Sequence, residues 1–315
     1  MAKVGPMGST GSTDSTDSTV WRFDGPDLVV LGDNLELLER MPSGSVTLIY
    51  IDPPFNTGRR QARQTLHTTR HADGDRVGFK GASYRTIRGA VSAYDDAFGD
   101  YWAFLEPRLE EAWRLLADDG TLYLHLDYRE VHYAKVVLDG LFGRDCFLNE
   151  IIWAYDYGAR ARRKWPAKHD NILVYVKDPD CYHFDNAAVD REPYMAPGLV
   201  TAEKAERGKL PTDVWWHTIV SPTGKEKTGY PTQKPEGVLR RVVQASSREG
   251  DWVLDFFAGS GTTGAVASKL NRRFVMVDEN PEAFEVMRSR LGDGGPLSQV
   301  AYIDLSSDVQ DRLAV

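Results

Sequence analysis

The sequence predicts an α/β protein built on a doubly wound, mostly parallel sheet with helices on both faces. Three observations carry that expectation. Short, wholly apolar runs such as VTLIYI and FVMV alternate with segments whose apolar residues recur at helical spacing. The apolar runs lack the alternation of a half-solvated sheet, as parallel strands covered on both sides do. Acids stand where these runs end, at Asp52, Asp255 and Asp278, and open parallel sheets collect their ligands at the carboxyl ends of strands.

Residues 1–20 are a polar Gly/Ser/Thr/Asp tract with nothing to bury and are expected as a disordered tail. Residues 21–292 are expected as one domain. LVVL reads as its first strand, followed by a helix capped by Asp33 or Asn34 with Leu35, Leu38 and Met41 at helical spacing. SVTLIYI is a second strand ending at Asp52. Residues 56–96 are Arg-rich and glycine-punctuated, which predicts a long basic loop. Helical spacing returns through Phe104, Leu105, Leu109, Trp113 and Leu116, with Gly120 as the expected stop. TLYLHLD is a strand, 129–142 a helix, and EIIWAY and NILVYVK two more strands. Periodicity then fades over about 178–230. PEGVLRRVVQASS resumes as a helix with Pro235 in its first turn, DWVLDFF is a strand, GTTGAVASKL a helix, and RRFVMVDE a strand. NPEAFEVMRSRL is a helix capped by Asn280 with Pro281 at its first position. Residues 293–315 are expected as a C-terminal tail.

The totals narrow the classes. Two cysteines, Cys146 and Cys181, cannot build a disulfide framework or a zinc cage, and no metal site is expected. No apolar run approaches the ~18 residues of a membrane span, and the start shows no charged-then-apolar signal, so the expected compartment is the cytoplasm. The net charge of −8 argues against a nucleic-acid partner only until its distribution is read. Arg59, Arg60, Arg63, Arg70, Arg76, Lys80, Arg85 and Arg88 face only Asp73 and Asp75 in their segment. A second basic patch holds Arg160, Arg162, Arg163 and Lys164. Either could be no more than a solvated face.

VLDFFAGSGTTGAVA is a strand, a small-residue turn and a helix start. Gly259 and Gly261 permit a tight turn and a close ligand approach, and the helix behind them offers free N–H groups. Asp278 ends the next strand, about twenty residues on, where an acid grips ribose hydroxyls in dinucleotide folds. A nicotinamide enzyme would share all of this.

IDPPFNTG is more specific. Asp52 leaves a strand end toward the ligand cleft, and Pro53 and Pro54 present carbonyls on a rigid path without competing donors. An amino group has two hydrogens, for which the Asp52 carboxylate and the Pro53 carbonyl are two acceptors, and Phe55 offers a ring to stack on. Such a clamp suits a flat ring bearing an NH2 group. It would localise the nitrogen lone pair and aim it at an electrophilic methyl carbon. A strand-ending Pro-Pro turn with an incidental acid is the plainer alternative.

Together, IDPPFNTG and LDFFAGSGTTGAVA closely resemble the paired signatures of the DNA amino-methyltransferases, the N6-adenine and N4-cytosine enzymes. The clamp motif precedes the cofactor motif, as in the permuted β group. GTLYLHLD, NEIIWAY, KHDNILVYVK and YPTQKPEGVLRRVV resemble further segments of that family, and the likeness spans about 33–291.

The resemblance implies a Rossmann-like methyltransferase fold with a seven-stranded sheet, mostly parallel with one antiparallel strand, and S-adenosylmethionine as cofactor. Asp52, Pro53, Pro54 and Phe55 would form the target-base clamp, with Asp52 also near the methyl donor. Asp255, Phe256, Ala258, Gly259, Ser260, Gly261, Thr262 and Thr263 would line the methionine end of the cofactor. Asp278, where the family often has Glu, would hold the ribose, and Thr232 and Lys234 would approach the cofactor carboxylate. His125 and Asp127 are weaker candidates, His125 reading more simply as a core histidine. The partner implied is double-stranded DNA with the target base flipped out. The 59–88 segment becomes a DNA-facing loop and 178–230 a short target-recognition region, in which Arg207, Lys209, Lys225 and Lys227 could meet phosphates or guanine edges. A homodimer and a cognate restriction nuclease are further partners the family suggests. Adenine is favoured over cytosine because cytosine enzymes more often carry Ser in place of Asp52. An RNA or protein methyltransferase, a catalytically inert DNA-binding module and a dehydrogenase remain as alternatives.

Overall fold

The structure, a computed structural model, describes residues 21–56, 61–70, 76–77, 83–94, 101–156, 160–221, 223–297 and 299–305. The polar tract at 1–20 lies outside them.

The chain opens with β1 (Asp27–Leu31), α1 (Asn34–Arg40) and β2 (Val46–Ile51), and continues through β3 (Gln61–Arg70), β4 (Arg76–Val77) and β5 (Ser83–Tyr94). Next come α2 (Tyr101–Leu115), β6 (Leu116–Leu126), α3 (Val131–Phe142), β7 (Phe147–Ala154) and β8 (His169–Val176). After α4 (Ala202–Arg207) and β9 (Val214–Trp216) follow α5 (Glu236–Ser246), β10 (Trp252–Asp255), α6 (Thr262–Lys269), β11 (Arg273–Asp278), α7 (Pro281–Leu291) and β12 (Val300–Asp304).

Among the described residues the main sheet has nine strands in the order β12-β1-β11-β10-β2-β6-β8-β7-β9. Only β8 runs against the others: it pairs antiparallel with both β6 and β7, and every other pairing in the sheet is parallel. The single antiparallel strand agrees with expectation, but the count does not. Two edge strands extend the expected seven: three-residue β9, inside the aperiodic 178–230 region, and β12, inside the expected tail. Both are too short for a period to be read, and each borrows its order from a neighbour, β9 from β7 and β12 from β1.

Residues alternate across the sheet between two cores. Ile49 and Ile51 of β2 and Val275 and Val277 of β11 pack with Leu37, Leu105, Leu109 and Leu138 of α1, α2 and α3. Leu48, Tyr50, Phe274 and Met276 face the other way, against Val238, Val242, Val266 and Met287 of α5, α6 and α7. Both faces are therefore dry, which is why the strands read as continuous apolar runs.

Two further expectations are corrected. The basic segment at 56–96 is not a plain loop: β3 and β5 pair antiparallel from Gln61↔Tyr94 to Arg70↔Tyr84, and β4 joins β5. Thr65, Thr68, Thr69, Thr86, Ile87 and Val91 favour strands, a signal hidden beneath the arginines and glycines. Gly120 does not stop a helix. α2 ends at Leu115 and Gly120 lies within β6, where a Cβ would meet the Ala117 carbonyl at 2.9 Å and the Thr47 carbonyl at 3.1 Å. Among the described residues, no helix is long and apolar enough to cross a membrane, and no group of His, Cys, Asp or Glu is arranged to hold a metal ion.

Candidate active site

The cleft lies at the carboxyl ends of β1, β2, β10 and β11, where Asn34, Asp52, Asp255 and Asp278 emerge. α6 starts abruptly behind it. Gly259 and Gly261 take left-handed φ values of 51° and 68°, and a Cβ on Gly259 would stand 3.3 Å from the Tyr230 ring, so the turn leaves a floor that only glycine keeps open. Asp278 accepts from the N–H of Gly259 at 2.8 Å and of Asn280 at 2.9 Å. An ionised carboxylate has about four acceptor positions, so it can still take hydroxyl hydrogens from the cleft. Asp255 accepts from the Phe257 N–H at 3.1 Å and from the Thr263 hydroxyl at 2.6 Å. Burial raises Asp255 to about 7, with the charges of Asp52 and Asp278 adding to it, and burial raises Asp278 to about 6.

At the head of the cleft, Asp52 follows β2 and is held by an ion pair from Lys234 Nζ to Oδ2. Its Oδ1 is buried and has no hydrogen-bond partner among the described residues. The Lys234 ammonium also lies 5.2 Å from the Phe55 ring centroid, so one cation braces both ends of the Asp-Pro-Pro-Phe segment. Phe55 leans on His125 with ring centroids 6.0 Å apart. His125 is fully buried: its Nδ1 meets the Tyr50 hydroxyl at 2.7 Å and its Nε2 meets Asp170 at 3.4 Å, while Tyr155 donates to Asp170 at 3.0 Å. Burial, with the charges of Asp52, Asp255 and Asp170, pushes the Tyr50 phenol well up and keeps it a neutral donor. Burial works against the Asp170 charge, yet hydrogen bonds and charge from His125 hold its carboxyl below the usual range.

The structure brings Asp52, Pro53, Pro54, Phe55, Thr232, Lys234, Asp255, Phe256, Ala258, Gly259, Ser260, Thr262, Thr263 and Asp278 into one cleft, with Gly261 capping α6 behind them. Lys234 is differently engaged than expected, on Asp52. Thr262 and Thr263 spend their hydroxyls inside the protein, on the Lys234 carbonyl and on Asp255. Thr232 is a β-branched residue at φ 58°, an outlier of the sort that clusters at functional sites. Asp127 accepts from the Arg129 N–H at 2.9 Å and pairs with its guanidinium, a turn-closing role.

Of the basic residues, Arg59, Arg60 and Lys80 lie outside the described residues. Arg63, Arg70, Arg76, Arg85 and Arg88 lie on β3, β4 and β5. Arg160, Arg162, Arg163, Lys164, Arg207 and Lys225 are exposed. Lys209 pairs with Glu192 at 3.1 Å, and Lys227 donates to the Tyr230 carbonyl at 3.5 Å.

The sequence reading passed over Tyr50, Asn34, Arg108 and Tyr230, all of which line the cleft. Tyr50 was findable, since it lies two residues before Asp52 and an extended chain turns such residues to the same side. Asn34 holds the Phe256 carbonyl at 2.6 Å and is itself held by Arg108, a contact between distant segments that no local pattern announces.

The family model described as DNA methylase, of the N6/N4 type, matches residues 46–289. The Type II methyltransferase M.HpaI of Haemophilus parainfluenzae is 30% identical over 265 residues, covering 84% of this chain and 73% of the relative. The DNA adenine methyltransferase YhdJ of Escherichia coli (strain K12) is 30% identical over 272 residues, covering 84% and 82%. Among solved structures, the PvuII DNA methyltransferase, cytosine-N4-specific, superposes with a TM-score of 0.59 at 15% identity over 89% of this chain and 95% of that one. The M1.HpyAVI–SAM complex superposes with a TM-score of 0.55 at 20% identity over 84% and 98%.

Proposed function

The chain belongs to the N6/N4 DNA methylase family, and from that premise we propose that it methylates the exocyclic amine of a base turned out of double-stranded DNA, with S-adenosylmethionine as donor and adenine N6 as the favoured target. The observation that carries this reading is the buried Oδ1 of Asp52 at the cleft, which has no hydrogen-bond partner among the described residues. A buried acceptor without a donor costs stability, and an incoming N–H repays it.

The cleft fits the cofactor. Four carboxyl groups, Asp52, Asp255, Asp278 and Glu279, line the cleft with two cations, Lys234 and Arg108, an acidic balance that favours a cationic ligand with hydroxyl donors. Asp278 takes the ribose hydroxyls, and the Gly259 turn leaves the room they need. Bound here, S-adenosylmethionine would supply an electrophilic methyl carbon on a sulfonium, with a neutral thioether as the leaving group. Asp52 Oδ1 and the Pro53 carbonyl accept the two amine hydrogens and turn the nitrogen lone pair toward that carbon. Lys234 keeps Oδ2 occupied, so Oδ1 is the oxygen left for the amine and for the proton it sheds as the N–C bond forms. Phe55, seated on His125, stacks on the ring. Because an amine inside a stacked duplex cannot reach this cleft, the base is extruded first.

Asp rather than Ser at position 52 supports adenine, as does the relative named a DNA adenine methyltransferase. The relative M.HpaI, named a Type II methyltransferase, supports a companion restriction nuclease, and the family suggests a homodimer acting in the cytoplasm of a bacterial or archaeal host. The test is transfer of label from S-adenosylmethionine to duplex DNA, RNA and protein in parallel, followed by nucleoside analysis. Label in duplex DNA as N6-methyladenine supports the reading, N4-methylcytosine moves it to the other base, and label only in RNA or protein overturns it.

A further inference from the structure

We propose that Trp165 enters the duplex beside the clamp and fills the space left by the extruded base, with Arg162, Arg163 and Lys164 holding the flanking phosphates. This deepens the function proposed above and rests on it.

Trp165 is 94% exposed, an unusual position for the side chain with most apolar surface to hide. It lies between β7 and β8, whose connection is pinched at its base by the Tyr155 N–H donating to the Lys168 carbonyl at 2.9 Å. β7 runs parallel to β2 and β8 antiparallel, so this connection stands at the same edge of the sheet as Asp52. Side-chain contacts lead from one to the other. Asn56, just past the clamp, donates to Glu130 at 3.0 Å. In the same turn lies Tyr128, whose ring centroid is 5.7 Å from the ammonium of Lys164, the neighbour of Trp165.

Charge decides the occupant. Residues 160–168 carry Arg160, Arg162, Arg163, Lys164 and Lys168 and no acid, in a chain whose net charge is −8. An acidic or apolar protein partner would account for the ring or the charge alone. A duplex offers phosphates on the outside and base faces within, and basic residues around an apolar wedge are the pattern of proteins that unstack a step. Pro166 confines Trp165 to extended backbone, so little order is lost on insertion.

The test uses the full chain and a duplex bearing the sequence that the wild type methylates, with the target either paired or opposite an abasic site. Trp165→Ala is expected to lower kcat/KM on the paired duplex by about tenfold or more, while Trp165→Phe, which keeps a stacking ring, stays within about threefold. With the target opposite the abasic site, extrusion needs no support and the Ala deficit shrinks to about threefold or less. With 2-aminopurine at the target position, the fluorescence rise on binding is smaller for Trp165→Ala than for wild type. An Ala variant as active as wild type on the paired duplex overturns the proposal, as does an equal deficit on both duplexes, which would mark a plain surface contact. A wild type that methylates no DNA removes the proposed function and this inference together, a result distinct from either.

Discussion

The ammonium of Lys234 rests on Oδ2 of Asp52, across 182 residues of sequence, with side-chain exposures of only 10% and 16%. A pair this deep is costly to break from one side, because the remaining charge stays in low dielectric without a counterion. Lys234→Met is therefore expected to lower unfolding free energy by about 2–4 kcal/mol, and the double variant with Asp52→Asn to recover most of that loss. Denaturant unfolding of the two single variants and the double closes the cycle. Additive losses would show that the two groups do not stabilise each other.

The raised carboxyls give a pH dependence. Burial lifts Asp255 to about 7 and Asp278 to about 6, above the ~3.9 of an unfolded Asp, so the native protein holds protons that the unfolded chain has released. The stability they contribute is complete below about pH 4 and is lost as pH rises through 6 and 7. A cationic ligand favours the ionised carboxylates, so S-adenosylmethionine should bind more tightly as pH rises over that window and release protons as it does. Calorimetry in buffers of different ionisation enthalpy reads the release directly, and Asp255→Asn should reduce it. A buffer-independent heat at pH 6.5 would contradict the assignment.

His125 is a positioning residue in this account. His125→Ala strands the Tyr50 hydroxyl, takes from Asp170 one hydrogen-bond partner while Tyr155 remains, and removes the support of Phe55, for an expected loss of about 2–4 kcal/mol in unfolding. Tyr50→Phe deletes one hydrogen bond and should cost about 1 kcal/mol. Thermal and denaturant melts compare the two. Equal, small losses would mean that the three side chains do not act together.

Thr232 holds a left-handed backbone that disfavours a β-branched residue by about 1–2 kcal/mol. Thr232→Gly should raise stability by about 1 kcal/mol and weaken cofactor binding, since it loosens the chain ahead of Lys234. Tighter binding in a more stable variant would show that the strain has no role in the site.

How far the sequence carried the reading varies with the reach of the forces involved. Strands buried on both faces announce themselves, as LIYI and FVMV did, because consecutive positions are apolar. Asn280 and Pro281 announced α7 because capping is local: the Asn280 side chain accepts from the Glu282 N–H. That the Asp-Pro-Pro-Phe segment and the glycine turn would line one cleft was legible because prolines, glycines and strand-ending acids have few other uses at those places. Long-range contacts were not. Nothing near Lys234 says that it reaches Asp52, and nothing near Asn34 says that it holds Phe256. The β3–β5 pairing was hidden because arginines and glycines interrupt the Thr, Ile and Val that favour strands, so the sequence shows no regular alternation to read.

Product analysis with Asp52→Ala tests the clamp itself. Unmethylated DNA is incubated with S-adenosylmethionine and either wild type or variant, then digested to nucleosides and quantified by mass spectrometry, with cofactor affinity measured alongside. The clamp predicts N6-methyladenine from the wild type and a rate at least about a hundredfold lower from the variant, with cofactor binding largely kept. Methylation by Asp52→Ala at a rate near that of the wild type would contradict it.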